Sequence, residues 1–89
     1  DCSHANSGKR LERQPDVAQE VALQLMQGQR AIIGVMLESH LVAGNQSVQP
    51  GQALTYGQSI TDGCLALADT VPVLETLAHG VRARRTGPL

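Results

Sequence analysis

The sequence predicts an α/β fold with a parallel sheet, and three observations carry that expectation. Residues Ala31–Leu37 read AIIGVML, six apolar residues and one glycine with no alternation, as in an interior strand covered on both faces. Stretches of helical spacing lie on either side of it, and a second short strand candidate, SITD, follows at Ser59–Asp62. A strand, a helix and a strand in succession make a βαβ unit, whose parallel strands require a right-handed crossover.

Taken in order, DCSHANSGK opens with too few residues before Ser3 for a whole strand and continues into the small, polar Ala5–Gly8, a strand-to-helix loop. The first strand is therefore expected to be truncated. Pro15 and Asp16 supply a first-turn proline and acid; Val17, Val21, Ala22 and Leu25 follow at helical spacing, and Gly28 is a stop signal. These predict a helix over Pro15–Gln27. After the Ala31–Leu37 strand, Ser39–Gln58 has no clear period and contains AGNQS and QPGQ. A loop that long within a small domain is often functional. The last helix is predicted to start near Thr70, with Pro72 in its first turn and Leu74, Leu77, Ala78 and Val81 on one face. Arg82, Arg84 and Arg85 suit its negative end, and Gly87 and Pro88 finish it.

Composition narrows the function classes. The 89 residues suffice for one small domain, and a formal charge of −1 gives no net pull toward nucleic acid or anionic membrane. Tyr56 is the sole aromatic residue, which removes most base stacking and leaves an aliphatic interior. Cys2 and Cys64 lack CxxC spacing, so neither a zinc ribbon nor a disulfide framework is expected; a cytoplasmic setting is. No run reaches the roughly 18 apolar residues of a membrane span, and no signal peptide is recognisable. A start at Asp1, already resembling a strand end, suggests a piece of a larger protein.

If the strands are parallel, their C-terminal ends emerge on one edge, where α/β sheets and barrels place their sites. At those ends stand His4, Glu38 and Asp62, separated by intervals of 34 and 24 residues that each allow a helix or long loop and a return strand. One imidazole and two carboxylates suit a divalent metal of borderline to hard type. A second reading fits the spacing equally: Glu38 and Asp62 cap loops, and His4 hydrogen-bonds to backbone.

SHANSGK, AIIGVMLESHLVAGNQ and YGQSITDGC, which together with their intervals take in nearly the whole chain, resemble the class I, metal-dependent 3-deoxy-D-arabino-heptulosonate 7-phosphate (DAHP) synthases. That resemblance implies a (β/α)8 TIM barrel of which residues 1–89 form the C-terminal three βα units, the first strand clipped at its start. It implies condensation of phosphoenolpyruvate with erythrose 4-phosphate, releasing phosphate, at the start of the shikimate pathway to aromatic amino acids. Carried over by position, the metal ligands fall on His4, Glu38 and Asp62, with manganese, iron or cobalt favoured and zinc possible. His4 and Lys9 fall among the catalytic residues, and Asn6, His40, Asn45 and Gln46 are rim candidates for substrate. The family's cysteine ligand and most of its phosphate clamps belong to an N-terminal section not represented here, so the chain alone is expected to be inactive. That section, and a homo-oligomer, are the expected partners. Two alternatives stand beside it: a fragment of the related 3-deoxy-D-manno-octulosonate 8-phosphate synthase, and a non-catalytic βα module that associates with itself through exposed strand edges.

Bland readings accompany the other residues. Asn6, Asn45 and Gln46 could equally hold turns, and His40 could be a solvated loop residue. Cys64 could approach the metal or serve as a small buried hydrophobe. His79 reads as surface, Met26 and Met36 as core, and the terminal arginines as a solvated helix end.

Overall fold

The computed structural model describes residues 1–87, so Pro88, expected to end the last helix, lies outside the described residues. Two helices and a pair of short parallel strands are formed. Helix α1 spans Gln14–Met26, strand β1 Ser39–His40, strand β2 Leu65–Ala66 and helix α2 Leu67–Thr86. Single 3-10 turns at Ala5–Ser7 and Leu11–Arg13 lead into α1.

Helix α1 agrees with the expected Pro15–Gln27 within a residue at each end. Pro15 sits in its opening turn, and Gln27 caps it before Gly28, whose φ of 99° turns the chain out of the helix. It buries Ala18, Ala22 and Leu25, with Val17 and Val21 packed against the same cluster.

Helix α2 departs from expectation in three respects. It begins at Leu67, three residues before Thr70, so Pro72 lies inside the helix instead of in its first turn. A proline there has no N–H for the preceding turn. The buried stripe runs through Thr70, Val73, Leu77 and Gly80, whereas Leu74 and Ala78 face outward and Val81 is half-buried. Gly80 explains the rotation: a Cβ there would lie 3.0 Å from the Ala22 carbonyl oxygen and 3.2 Å from its Cα. The helices cross at this glycine, and the face that carries it must be the inner one.

The strand expectations are met only in part. β1 and β2 run parallel, with Ser39 opposite Leu65 and His40 opposite Ala66. The predicted strand Ala31–Leu37, however, makes no ladder, and Ile33 is 97% exposed. A parallel strand needs neighbours, and within this chain the first segment offers it one backbone bond, from the Cys2 N–H to the Met36 carbonyl (2.9 Å). Ser59–Asp62 likewise forms no strand; Ser59 makes a single bridge with Asn45, and the strand falls later, at β2. Met26 and Met36, expected in the core, are substantially exposed, because the chain has too few elements to cover their faces.

The core contains Cys2, Ala18, Ala22, Leu65, Val73 and Leu77, small and aliphatic as the lack of aromatics requires. A self-contained domain of this length would have a radius of gyration of about 12 Å. The observed 15.6 Å, with extents of 60 × 23 × 16 Å, describes an elongated body with uncovered strand surface.

Candidate metal centre

The site is assembled from three turns of chain. His4 stands where the first segment leaves the sheet direction (φ −103°, ψ −117°) and enters the Ala5–Ser7 turn. Its Nδ1–H donates to the Asp1 carboxylate at 2.8 Å. Asp1 is itself held by the N–H and hydroxyl of Ser3, at 2.8 and 2.9 Å. In the tautomer that carries its proton on Nδ1, toward Asp1, Nε2 is left as the acceptor facing the rim, the orientation that a carboxylate partner imposes on metal-binding imidazoles.

Glu38 follows the apolar run, its carbonyl accepting the Leu65 N–H at 3.0 Å, which ties it to β2. Asp62 lies in the loop before β2. His4 Nε2 is 3.9 Å from Glu38 Oε1 and 3.6 Å from Asp62 Oδ2. One donor atom from each residue lies within 4.8 Å of the others. Donors about 2.1 Å from a shared divalent ion sit roughly 3 to 4.2 Å apart, so the two histidine distances fall in range and a small closure completes the set. One nitrogen and two anionic oxygens also match the chemistry of such an ion. The group therefore fits the residues present: His4, Glu38 and Asp62 would hold it.

The pocket around them, about 150 Å³, is also lined by Ser3, Lys9, Asn45 and Gly63. Lys9 stands there with a positive φ of 62° immediately after Gly8, itself left-handed, so the SHANSGK segment bends tightly and returns its lysine to the rim. Arg10, the other nearby base, is committed to Glu12 at 2.9 Å. That contact, after a backbone hydrogen bond, helps hold the Glu12 carboxyl below its ordinary range.

The remaining candidates divide by their bonding. Asn45 reaches the pocket while its amide donates to the Thr61 carbonyl (2.8 Å), fixing the loop that presents Asp62. Asn6 donates to the Asp1 carbonyl (2.7 Å) and lies outside the pocket lining. Gln46 donates to the Thr55 and Gln58 carbonyls and accepts the Thr55 N–H, cross-bracing the long loop from within. His40 accepts the Leu41 N–H on its own ring at 2.8 Å, beyond the pocket lining. Cys64 is buried, with its Sγ 3.5 Å from the Asp62 carbonyl, and is not one of the three converging donors. Cys2 is fully buried, and loss of solvation pushes its thiol up from the usual range. The segment expected as a loop, Ser39–Gln58, begins instead with strand β1, and its remainder is folded; at its base Gly57 (φ 80°) would place a Cβ 2.8 Å from that of Leu41, so only glycine fits.

Sequence reasoning missed Gln14. It is fully buried, and its amide binds both backbone groups of Glu38, a polar residue ahead of Pro15 that periodicity passes over.

Comparison with known proteins bears on this arrangement. The family model described as the DAHP synthetase I family matches residues 1–75. The chain is 54% identical over 85 residues to the Phe-sensitive phospho-2-dehydro-3-deoxyheptonate aldolase of Escherichia coli (strain K12), covering 96% of the chain and 24% of that protein. It is 47% identical over 89 residues to the tyrosine-inhibited aldolase of the same name from Schizosaccharomyces pombe, covering 96% and 24%. The solved structure of the Francisella tularensis SCHU S4 enzyme of that name superposes with a TM-score of 0.89 at 46% identity, covering 94% of this chain and 24% of the other. The chain thus spans about a quarter of the length of the relatives it matches. By the family match and these identities, the chain belongs to the DAHP synthetase I family.

Proposed function

We propose that residues 1–89 are the C-terminal three βα units of a DAHP synthase barrel, the first strand truncated, and that they contribute three metal ligands to its active rim. The single observation behind this is the convergence of His4, Glu38 and Asp62 from distant points of the chain. In the parent, phosphoenolpyruvate would condense with erythrose 4-phosphate to give 3-deoxy-D-arabino-heptulosonate 7-phosphate and phosphate, in the cytoplasm. The relatives' names favour this over the octulosonate alternative.

A bound divalent ion, manganese, iron, cobalt or zinc, would supply Lewis-acid polarisation of the erythrose 4-phosphate aldehyde. The chain's own residues do the positioning. Asp1 aims the His4 ring, β2 holds the Glu38 peptide, and the Asn45 amide fixes the loop bearing Asp62. Lys9 supplies a cation at the pocket edge, suited to one substrate phosphate. Two phosphorylated reactants need more cations than Lys9, because Arg10 is paired with Glu12. The chain alone is therefore expected not to catalyse. Metal titration of the 89-residue chain tests the ligand set, and an assay of phosphate release dependent on erythrose 4-phosphate tests for activity. Retention of full metal affinity by Asp62→Asn and Glu38→Gln would remove the reading's foundation.

One observation favours a second role. The run around Ile33, Val35 and Met36 leaves apolar surface and strand edge uncovered. In the parent it would take the neighbouring barrel strand; in the isolated chain a second copy is the available partner. Sedimentation separates the cases, and a monomer at high concentration would exclude self-association.

A further inference from the structure

Gln14 opens α1 with none of its surface exposed, although a glutamine at a helix start ordinarily reaches solvent. Its carboxamide makes two bonds across 24 residues of sequence: Oε1 accepts the Glu38 N–H at 2.9 Å, and Nε2 donates to the Glu38 carbonyl at 3.2 Å. These are the two bonds a neighbouring strand would have made. The Cys2 N–H on the Met36 carbonyl sets a parallel register. Continued one step, that ladder would pair the Glu38 N–H with the Cys2 carbonyl and the Glu38 carbonyl with the His4 N–H. Neither bond forms, because the chain turns away at His4, and the Gln14 amide occupies both positions.

The substitution has a consequence for His4. Cys2 is fully buried against both helices, and in a continuing strand His4, two residues on, would point to that same side. Leaving the ladder frees the ring to lie across the rim, 3.9 Å from the Glu38 carboxylate. A strand that departs before its neighbour ends ordinarily strands a polar peptide; here Gln14 pairs the Glu38 N–H, and the Glu38 carbonyl oxygen accepts both the Gln14 Nε2–H and the Leu65 N–H.

We propose that Gln14 is a positioning residue of the rim: its amide stands in for a strand, fixing the Glu38 peptide so that Glu38 and a diverging His4 share one coordination sphere. This rests on the metal reading above and goes beyond it by assigning a residue outside the ligand set.

The test is Gln14→Met, of similar length and without the two hydrogen bonds, with Mn²⁺ as probe on the 89-residue chain. The Mn²⁺ dissociation constant of the folded variant is expected to rise about 10- to 100-fold, as when a supporting partner of a metal ligand is lost. Leu77→Ala, a core truncation remote from the rim, should lower the melting temperature while leaving the affinity of the folded chain unchanged. Equal Mn²⁺ affinity in wild type and Gln14→Met would overturn the inference. If Gln14→Met fails to fold, hydrogen exchange at the wild-type Glu38 amide decides. Protection matching the α1 amides supports the bond to Gln14, and exchange at the rate of an open loop overturns it. Failure of the metal reading has a different signature: wild type and His4→Ala would then bind Mn²⁺ equally poorly, and the inference would fall with it.

Discussion

The helical layer and the strand layer of this chain solve the same problem with unequal success. Helices α1 and α2 satisfy their backbone internally and need only each other's side chains, which they find where Gly80 seats against Ala22. The Ala31–Leu37 run has strand composition but no strand partners, and it leaves Ile33 97% exposed. A helix is a local object and a parallel strand is not. The metal candidates stand on the less complete layer, yet they converge, because His4, Glu38 and Asp62 are tied by Asp1, by Gln14 and Leu65, and by Asn45 acting on its loop. Local side-chain bonds hold the rim where a sheet would otherwise do so.

That contrast can be broken from either side. The largest effect is expected in the helical layer: Gly80→Val drives methyl groups into the Ala22 backbone and should cost about 3 kcal/mol, read as a lowered thermal midpoint. In the strand layer, Glu38→Gln should weaken Mn²⁺ binding at least about tenfold, judged by calorimetric titration, since even supporting residues cost that much. Its metal-free melting curve should stay close to wild type, which separates the site from the scaffold. A smaller effect concerns Cys2. Burial raises its thiol pKa in the folded state, so folding favours the protonated form. Stability is therefore full below the ordinary thiol range and declines as the pH rises through and above it, and Cys2→Ala should flatten that alkaline decline in pH-dependent melts. The smallest is Ile33→Lys: with its side chain almost wholly in water, the monomer's stability should change by no more than about 0.5 kcal/mol. Any self-association seen by sedimentation should nonetheless fall.

What the sequence made legible follows the same division. Helix α1 was readable because its spacing, its proline and its glycine all act within a few residues. The face of α2 was not, because Leu74 and Ala78 have the right spacing and only contact with Ala22 makes Gly80 the inner position. Ala31–Leu37 reads as an interior strand, yet composition cannot supply the neighbours that would make it one. In SITD, the acid at Asp62 was informative while the strand around it was misplaced, since β2 is fixed by pairing with Ser39–His40. Of the rim, type and spacing marked His4, Glu38 and Asp62 as candidates with loop capping as the alternative, and the family resemblance favoured the metal reading. Gln14 could not, because its role depends on a ladder that stops one rung early.

In the proposed site three separated side chains hold one divalent cation. The most direct measurement is Mn²⁺ titration of the 89-residue chain, followed by electron paramagnetic resonance, for wild type, His4→Ala, Glu38→Gln and Asp62→Asn. One bound ion per wild-type chain is expected, with weaker binding in each variant. Wild-type binding matched by all three variants would contradict the proposed site.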